Sequence, residues 1–230
     1  MTKQTVVPVR LSNPSTFGNF LPGENLATLS VLHDFLECKV NSKVCHLWGP
    51  MGTGKTHLLL AVANVSDDSI YLPLMELNLD PSCLDELSRN TLVCLDDVHS
   101  IAAQPAWENA LFDLFERIEN QNQRLLVSSR FRPADMRFSL KDLVNRFQGR
   151  QSLKLDPLSN ENLAKLLERQ AARRGLTIEE SAIQFILSRF SRDVHSLMRL
   201  LNEIDTAVET RRKVTIPFLR RLIEFRLDST

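Results

Sequence analysis

The chain has 230 residues, 28 basic and 28 acidic side chains, no formal net charge, and 43% apolar against 24% charged residues. That balance excludes disordered and fibrous chains, and it argues against a protein that coats nucleic acid or an anionic membrane through bulk charge. Its longest unbroken apolar run, Leu58 to Ala63, is far shorter than the ~18 residues a membrane span needs. Met1 to Arg10 lacks the apolar core and cleavage site of a signal peptide. Cys38, Cys45, Cys83 and Cys94 are widely spaced, with no C-x-x-C pair, and read as reduced thiols. The expectation is a soluble cytoplasmic protein with no membrane association.

Residues 1–14 show no helical period and hold Pro8 and Pro14, which reads as an extended arm. From Glu24 to Cys38 the spacing of Leu26, Leu29, Leu32, Phe35 and Leu36 predicts an amphipathic helix. Val44–Trp48, Ile70–Pro73, Leu92–Leu95, Leu125–Ser128 and Ser152–Leu155 are expected as short strands, the third apolar on both faces, and helices are expected over 56–65, 105–121 and 140–147. Strands apolar on both faces suit a parallel sheet covered on each side. After Asp156-Pro157 only helical patterning is found, over roughly 160–174, 178–190, 193–210 and 216–226. Gly175 suits the position just past a helix end, and Thr177-Ile-Glu-Glu180 has the form of a capping box. The domains expected are the arm 1–14, an α/β domain over 15–156 and an all-α domain over 157–230.

Gly49-Pro50-Met51-Gly52-Thr53-Gly54-Lys55-Thr56 matches G-x-x-x-x-G-K-[ST] between a strand and a helix. Glycines let the backbone curl so that N–H groups point at phosphate oxygens. Lys55 pairs with the outer phosphates, and Thr56 offers its hydroxyl to Mg²⁺. The next helix adds its positive N-terminal end. Asp96 and Asp97 end the strand 92–95. Asp96 is expected to hold the Mg²⁺ with Thr56, and Asp97 to stand where many such enzymes polarise the attacking water, one methylene shorter than the usual Glu.

With these in place the chain resembles the replication-initiator clade of AAA+ P-loop NTPases, and within it the DnaA-homologous regulatory inactivators. The segments that carry the likeness are Thr16–Gly23, Gly54–Leu58, Leu95–Val98, Leu111–Phe115, Val127–Pro133, Lys154–Ser159 and Lys213–Phe218. The resemblance implies a five-stranded parallel sheet sandwiched by helices, followed by a small helical lid, with ADP or ATP and Mg²⁺ bound. Phe17, Phe20, Leu21, Pro22 and Gly23 then approach the adenine and ribose, and His57 and Ser128 join the nucleotide site. Asn145-Arg146-Phe147 matches the box whose arginine reaches the nucleotide of a neighbouring subunit. His195 falls at the sensor 2 position, where the family has arginine, with Arg192 or Arg199 as substitutes. Arg130 replaces the initiator's sensor 1 Asp. Both departures favour weak or no autonomous hydrolysis.

In the arm, Gln4-Thr-Val-Val7-Pro8-Val9 resembles the peptide that docks on the DNA polymerase III β sliding clamp, with valines in place of the usual leucines. The function implied is negative regulation of replication initiation: a clamp-tethered protein, associated with DNA only through the clamp, whose Arg146 stimulates hydrolysis of ATP held by DnaA. A homodimer or higher oligomer is compatible with this. The competing reading is a helicase loader or initiator-like ATPase on nucleic acid, touching phosphates through Arg169, Arg173, Arg174, Arg211, Arg212, Lys213, Arg220 and Arg221; neutral overall charge counts against it.

Overall fold

The computed structural model describes residues 15–75, 79–208 and 213–228. The chain separates into two compact units, divided between Asp156 and Pro157. In the first, β1 (Val44–Trp48), β2 (Ser69–Pro73), β3 (Leu92–Asp96), β4 (Arg124–Ser129) and β5 (Gln151–Lys154) make one parallel sheet in the order β2-β3-β4-β1-β5.

Successive strand residues enter different cores. Val44, Val93, Leu95, Leu125 and Val127 pack with α3 (Pro105–Asn120) and α4 (Lys141–Gln148). Cys45, Leu47, Cys94 and Leu126 pack with α1 (Leu26–Leu36) and α2 (Lys55–Ala63). A sheet buried on both faces has no polar side to alternate with, so its inner strands are mostly apolar, whereas the edge strand β5 buries only Leu153. Each such side chain contributes about 1.5–3 kcal/mol by leaving water. Burial pushes the Cys45 thiol up to about 12 and raises Cys94 as well, so both are inert, protonated core residues. Pro105 opens α3 at the position where its missing N–H is harmless.

The first helix is shorter than its apolar period predicts, because Gly23–Asn25 form a 3-10 turn ahead of α1. Asn25 explains this: its side chain is buried, donates to the Pro22 and Asp156 carbonyls at 3.1 and 3.0 Å, and accepts the Asp156 N–H at 2.7 Å. The amide thus pairs with the backbone at the end of the α/β unit.

The second unit contains α5 (Asn160–Arg173), α6 (Glu180–Arg189), α7 (Val194–Ala207) and α8 (Ile216–Asp228) around its own apolar core, in which Ala171, Ala182, Ile186, Leu197, Leu201, Ile204, Val214 and Leu219 are inaccessible. Gly175 has φ +68°. The Leu176 N–H returns to the Ala171 carbonyl and the Gly175 N–H to that of Ala172, each at 2.9 Å. This is the Schellman closure of α5. The predicted capping box is absent. Thr177 lies in β6 (Thr177–Ile178), paired in parallel with β7 (Lys213–Val214), and α6 starts after Glu179. The unit is therefore not helical throughout. Among the described residues no helix is long and apolar enough to cross a membrane.

Candidate nucleotide site

β1 is the switch point of the sheet: it lies between β4 and β5, and the loop leaving its carboxyl end carries the glycine-rich motif. Crevices at such points are where open α/β sheets take ligands. Gly49 donates to the Ser129 carbonyl at 3.2 Å, which moors the loop to β4. A Cβ on Gly49 would lie 2.2 Å from the Leu155 carbonyl oxygen, and one on Gly54, at φ +91°, would lie 2.6 Å from the Phe20 ring. Gly52 is also left-handed, at φ +79°. Glycine is required where backbone runs this close and this curled.

Lys55 and Thr56 begin α2. The Lys55 ammonium is buried and donates to the carbonyls of Gly49 and Pro50, both at 2.8 Å. Its pKa is lowered, chiefly by burial and further by Arg130, against the opposing pull of Asp97 and Asp96. Thr53 is nearly buried and donates to Pro50, whereas Pro50, Met51 and Thr56 are exposed.

Asp96 ends β3, 3% exposed, and both of its oxygens are engaged. Ser128 donates to Oδ1, and Tyr71 donates to Oδ2 at 2.8 Å. The Ser128 oxygen in turn accepts the Asp97 N–H at 2.9 Å. Asp97 has left-handed backbone, φ +56°, and its Oδ1 lies 3.7 Å from His99 Nδ1. Burial, with Arg130 and Lys55 adding to it, pushes His99 down to about 4, so that imidazole is neutral at physiological pH.

On the α1 side, Phe17 stands 4.6 Å from the His33 ring and Phe20 5.6 Å from His57. His57 Nε2 bonds to the Thr16 carbonyl at 3.0 Å. Leu21, Pro22 and Gly23 follow in the half-buried chain leading into α1. Phe17 and Phe20 also join the core beneath α1 and α2. The structure thus gathers Phe20, the glycine-rich loop, Lys55, Asp96, Asp97 and Ser128 at one end of the sheet. It adds Tyr71 and His99, which the sequence reading missed; a lone Tyr inside a strand carries no signal of the acid it meets.

These groups fit a magnesium nucleotide. Their cradle is one that a Cβ would fill. The donors offered to a cation, Thr56 and Asp96, are hard oxygens, which suits Mg²⁺ held by few protein ligands together with phosphates and water. Among the described residues no group of three His, Cys, Asp or Glu is arranged to hold a metal unaided.

Arg146 lies on α4, a third exposed, paired with Glu116 of α3 and 5.7 Å from the Phe112 ring. Phe147 beside it is fully buried against Phe115, Phe138 and His46, at 4.8, 5.9 and 5.4 Å between rings. That contact pins α4 while leaving Arg146 toward the surface. In the second unit, His195 and Arg199 are exposed on α7. Arg192 lies ahead of that helix. It precedes the α7 cap Asp193, and its Nε donates to the Leu187 carbonyl at 3.2 Å. Burial would raise Asp193, but the Ser191 hydroxyl, the amide and hydroxyl of Ser196 and the His195 charge outweigh it, holding the acid down at about 2. Gln4, Val7, Pro8 and Val9 lie outside the described residues.

Residues 160–223 match the family model described as the Hda lid domain. Among solved structures, the chain is similar to domain III of the Thermotoga maritima replication initiation protein DnaA, at 20% identity over 94% of this chain and 98% of that one, with a TM-score of 0.78. It is also similar to a replication initiator DnaA bound to AMPPCP and single-stranded DNA (22% identity, TM-score 0.70). It covers 85% of itself and just under two thirds of that initiator chain, 66%. The Thermotoga maritima RuvB Holliday junction branch migration motor has the same fold at 22% identity, 92% and 72% coverage and a TM-score of 0.69. Residues 160–223 thus match an Hda-type lid, and the α/β unit before them, a parallel five-stranded sheet with its glycine-rich loop at the switch point, shares its fold with DnaA domain III.

Proposed function

We propose that the chain is a negative regulator of replication initiation that holds ADP or ATP with Mg²⁺, docks on the β sliding clamp through residues 4–9, and uses Arg146 to stimulate hydrolysis of ATP bound to DnaA. The observation that carries this reading is the Hda-type lid, residues 160–223, following a DnaA-like α/β unit. The site geometry supports it. Lys55 and the loop amides are suited to phosphates, Phe17, Phe20 and the Leu21-Pro22-Gly23 segment to the base and ribose, and Thr56 and Asp96 to the metal, which when bound neutralises phosphate charge. In the lid, His195, Arg192 and Arg199 are the residues offered to sensor 2 duty.

Two features disfavour turnover in this chain's own site. Asp97 is short and sits beside a neutral histidine, and Asp96 is already engaged by two hydroxyls. A guanidinium aimed at developing phosphate charge in a partner is worth roughly 10³–10⁵ in rate, so the principal output is assigned to Arg146. The deciding experiment is single-turnover ATP hydrolysis by DnaA on clamp-loaded DNA, with and without this chain. Arg146→Ala is expected to abolish the acceleration and leave ADP binding unchanged. Undiminished acceleration by that variant removes the finger assignment, and no acceleration by the wild-type chain favours a helicase loader.

A further inference from the structure

We propose that Glu108 is the positioning residue of the finger: its buried carboxylate fixes the start of α4 and hence where Arg146 can reach. The inference rests on the role given to Arg146 above. Glu108 is on α3, 1% exposed, at a position where the helix period calls for an apolar residue. Three backbone amides satisfy it. Oε1 accepts the Ala103 N–H at 2.7 Å and the Ser139 N–H at 3.0 Å, and Oε2 accepts the Leu140 N–H at 2.7 Å.

The placement of those amides gives the carboxylate its meaning. Leu140 is the cap residue of α4 and has no side-chain oxygen with which to cap it. Ala103, with φ +62°, follows the 3-10 turn Val98–Ile101 that leaves the acidic pair Asp96-Asp97. One carboxylate therefore ties the segment leaving β3 to the first residues of the finger helix. Arg146 lies less than two helical turns from Leu140, with Phe147 as the anchor at the far end. Loss of the near anchor lets α4 tilt about Phe147, and a guanidinium displaced by about 1 Å loses on the order of 10²-fold in rate.

Glu108→Gln keeps the volume but turns one acceptor into a donor that opposes a backbone N–H. The expected result is a fall of roughly tenfold or more in the maximal DnaA ATPase stimulation. The concentration giving half the effect should stay within about threefold, ADP affinity should be unchanged, and amide exchange at Ser139 and Leu140 should quicken. Glu108→Asp, which retains the charge but withdraws it by one methylene, should give a smaller loss and carries the same readouts if the Gln variant does not fold. Full maximal stimulation by both variants, or a parallel loss of ADP affinity, overturns the proposal. Arg146→Ala in the same assay separates the two ideas: if it remains active the finger reading falls, and if it is inactive while Glu108→Gln is fully active, only Glu108 is misassigned.

Discussion

Gly54 stands where two demands coincide, a left-handed backbone and the Phe20 ring in the place of a Cβ. Gly54→Ala is expected to lower stability by about 1–2 kcal/mol from the backbone alone and to weaken ADP binding, measured by thermal melts and isothermal titration. Adding Phe20→Leu should restore part of the loss, since it removes the clash and leaves the φ penalty. His46 tests a different force. It is fully buried on β1, bonds to Ser129 at 2.8 Å, and is pushed down to about 3 by burial. The unfolded chain takes up this proton near pH 6.5, the folded chain only near pH 3. Stability is thus complete above pH 6.5 and falls as the pH drops through that window, by about 2 kcal/mol at pH 5. His99 adds to the trend. Urea unfolding at pH 7 and pH 5 measures the slope, which His46→Gln should flatten.

At the level of elements, β3 and β4 are joined at their functional ends by one hydroxyl. Ser128 donates to Asp96 and accepts from the Asp97 amide, so Ser128→Ala strands the N–H of a half-buried residue and loosens a carboxylate. It is expected to cost about 1–3 kcal/mol, read by chemical denaturation, and to reduce the Mg²⁺ dependence of ADP affinity. The inner strands were legible, because burial on both faces leaves them mostly apolar, and the turn after β1 was legible because its left-handed backbone needs glycines. Gly175 was legible for the same local reason, its φ of +68° closing α5. The contacts made across sequence were not. Tyr71 on Asp96, Asn25 on Asp156 and Glu108 on Ser139 and Leu140 leave no periodic trace. Thr177 resembled a helix cap because its pairing with Lys213 lies far along the chain. The roles proposed for Arg146 and Gln4 rest on resemblance, since an arginine or a glutamine has no chemistry at its own position until a partner is named.

For the whole molecule, each unit has its own apolar core. The 157–230 piece is accordingly expected to fold alone, with helical circular dichroism and a cooperative melt. Neutral overall charge predicts weak, salt-sensitive association with naked DNA in spite of exposed Arg220 and Arg221. Fluorescence anisotropy should therefore show tight DNA association only when the β clamp is present, and lose it with Gln4→Ala.

The chain contains one tyrosine, and that phenol is hydrogen-bonded to the acid at the end of β3. Isotopic labelling of tyrosine alone gives a spectrum with one ring system, sited beside Asp96. Ions or nucleotides that disturb this carboxylate become visible as the displacement of a single resonance, without any engineered probe.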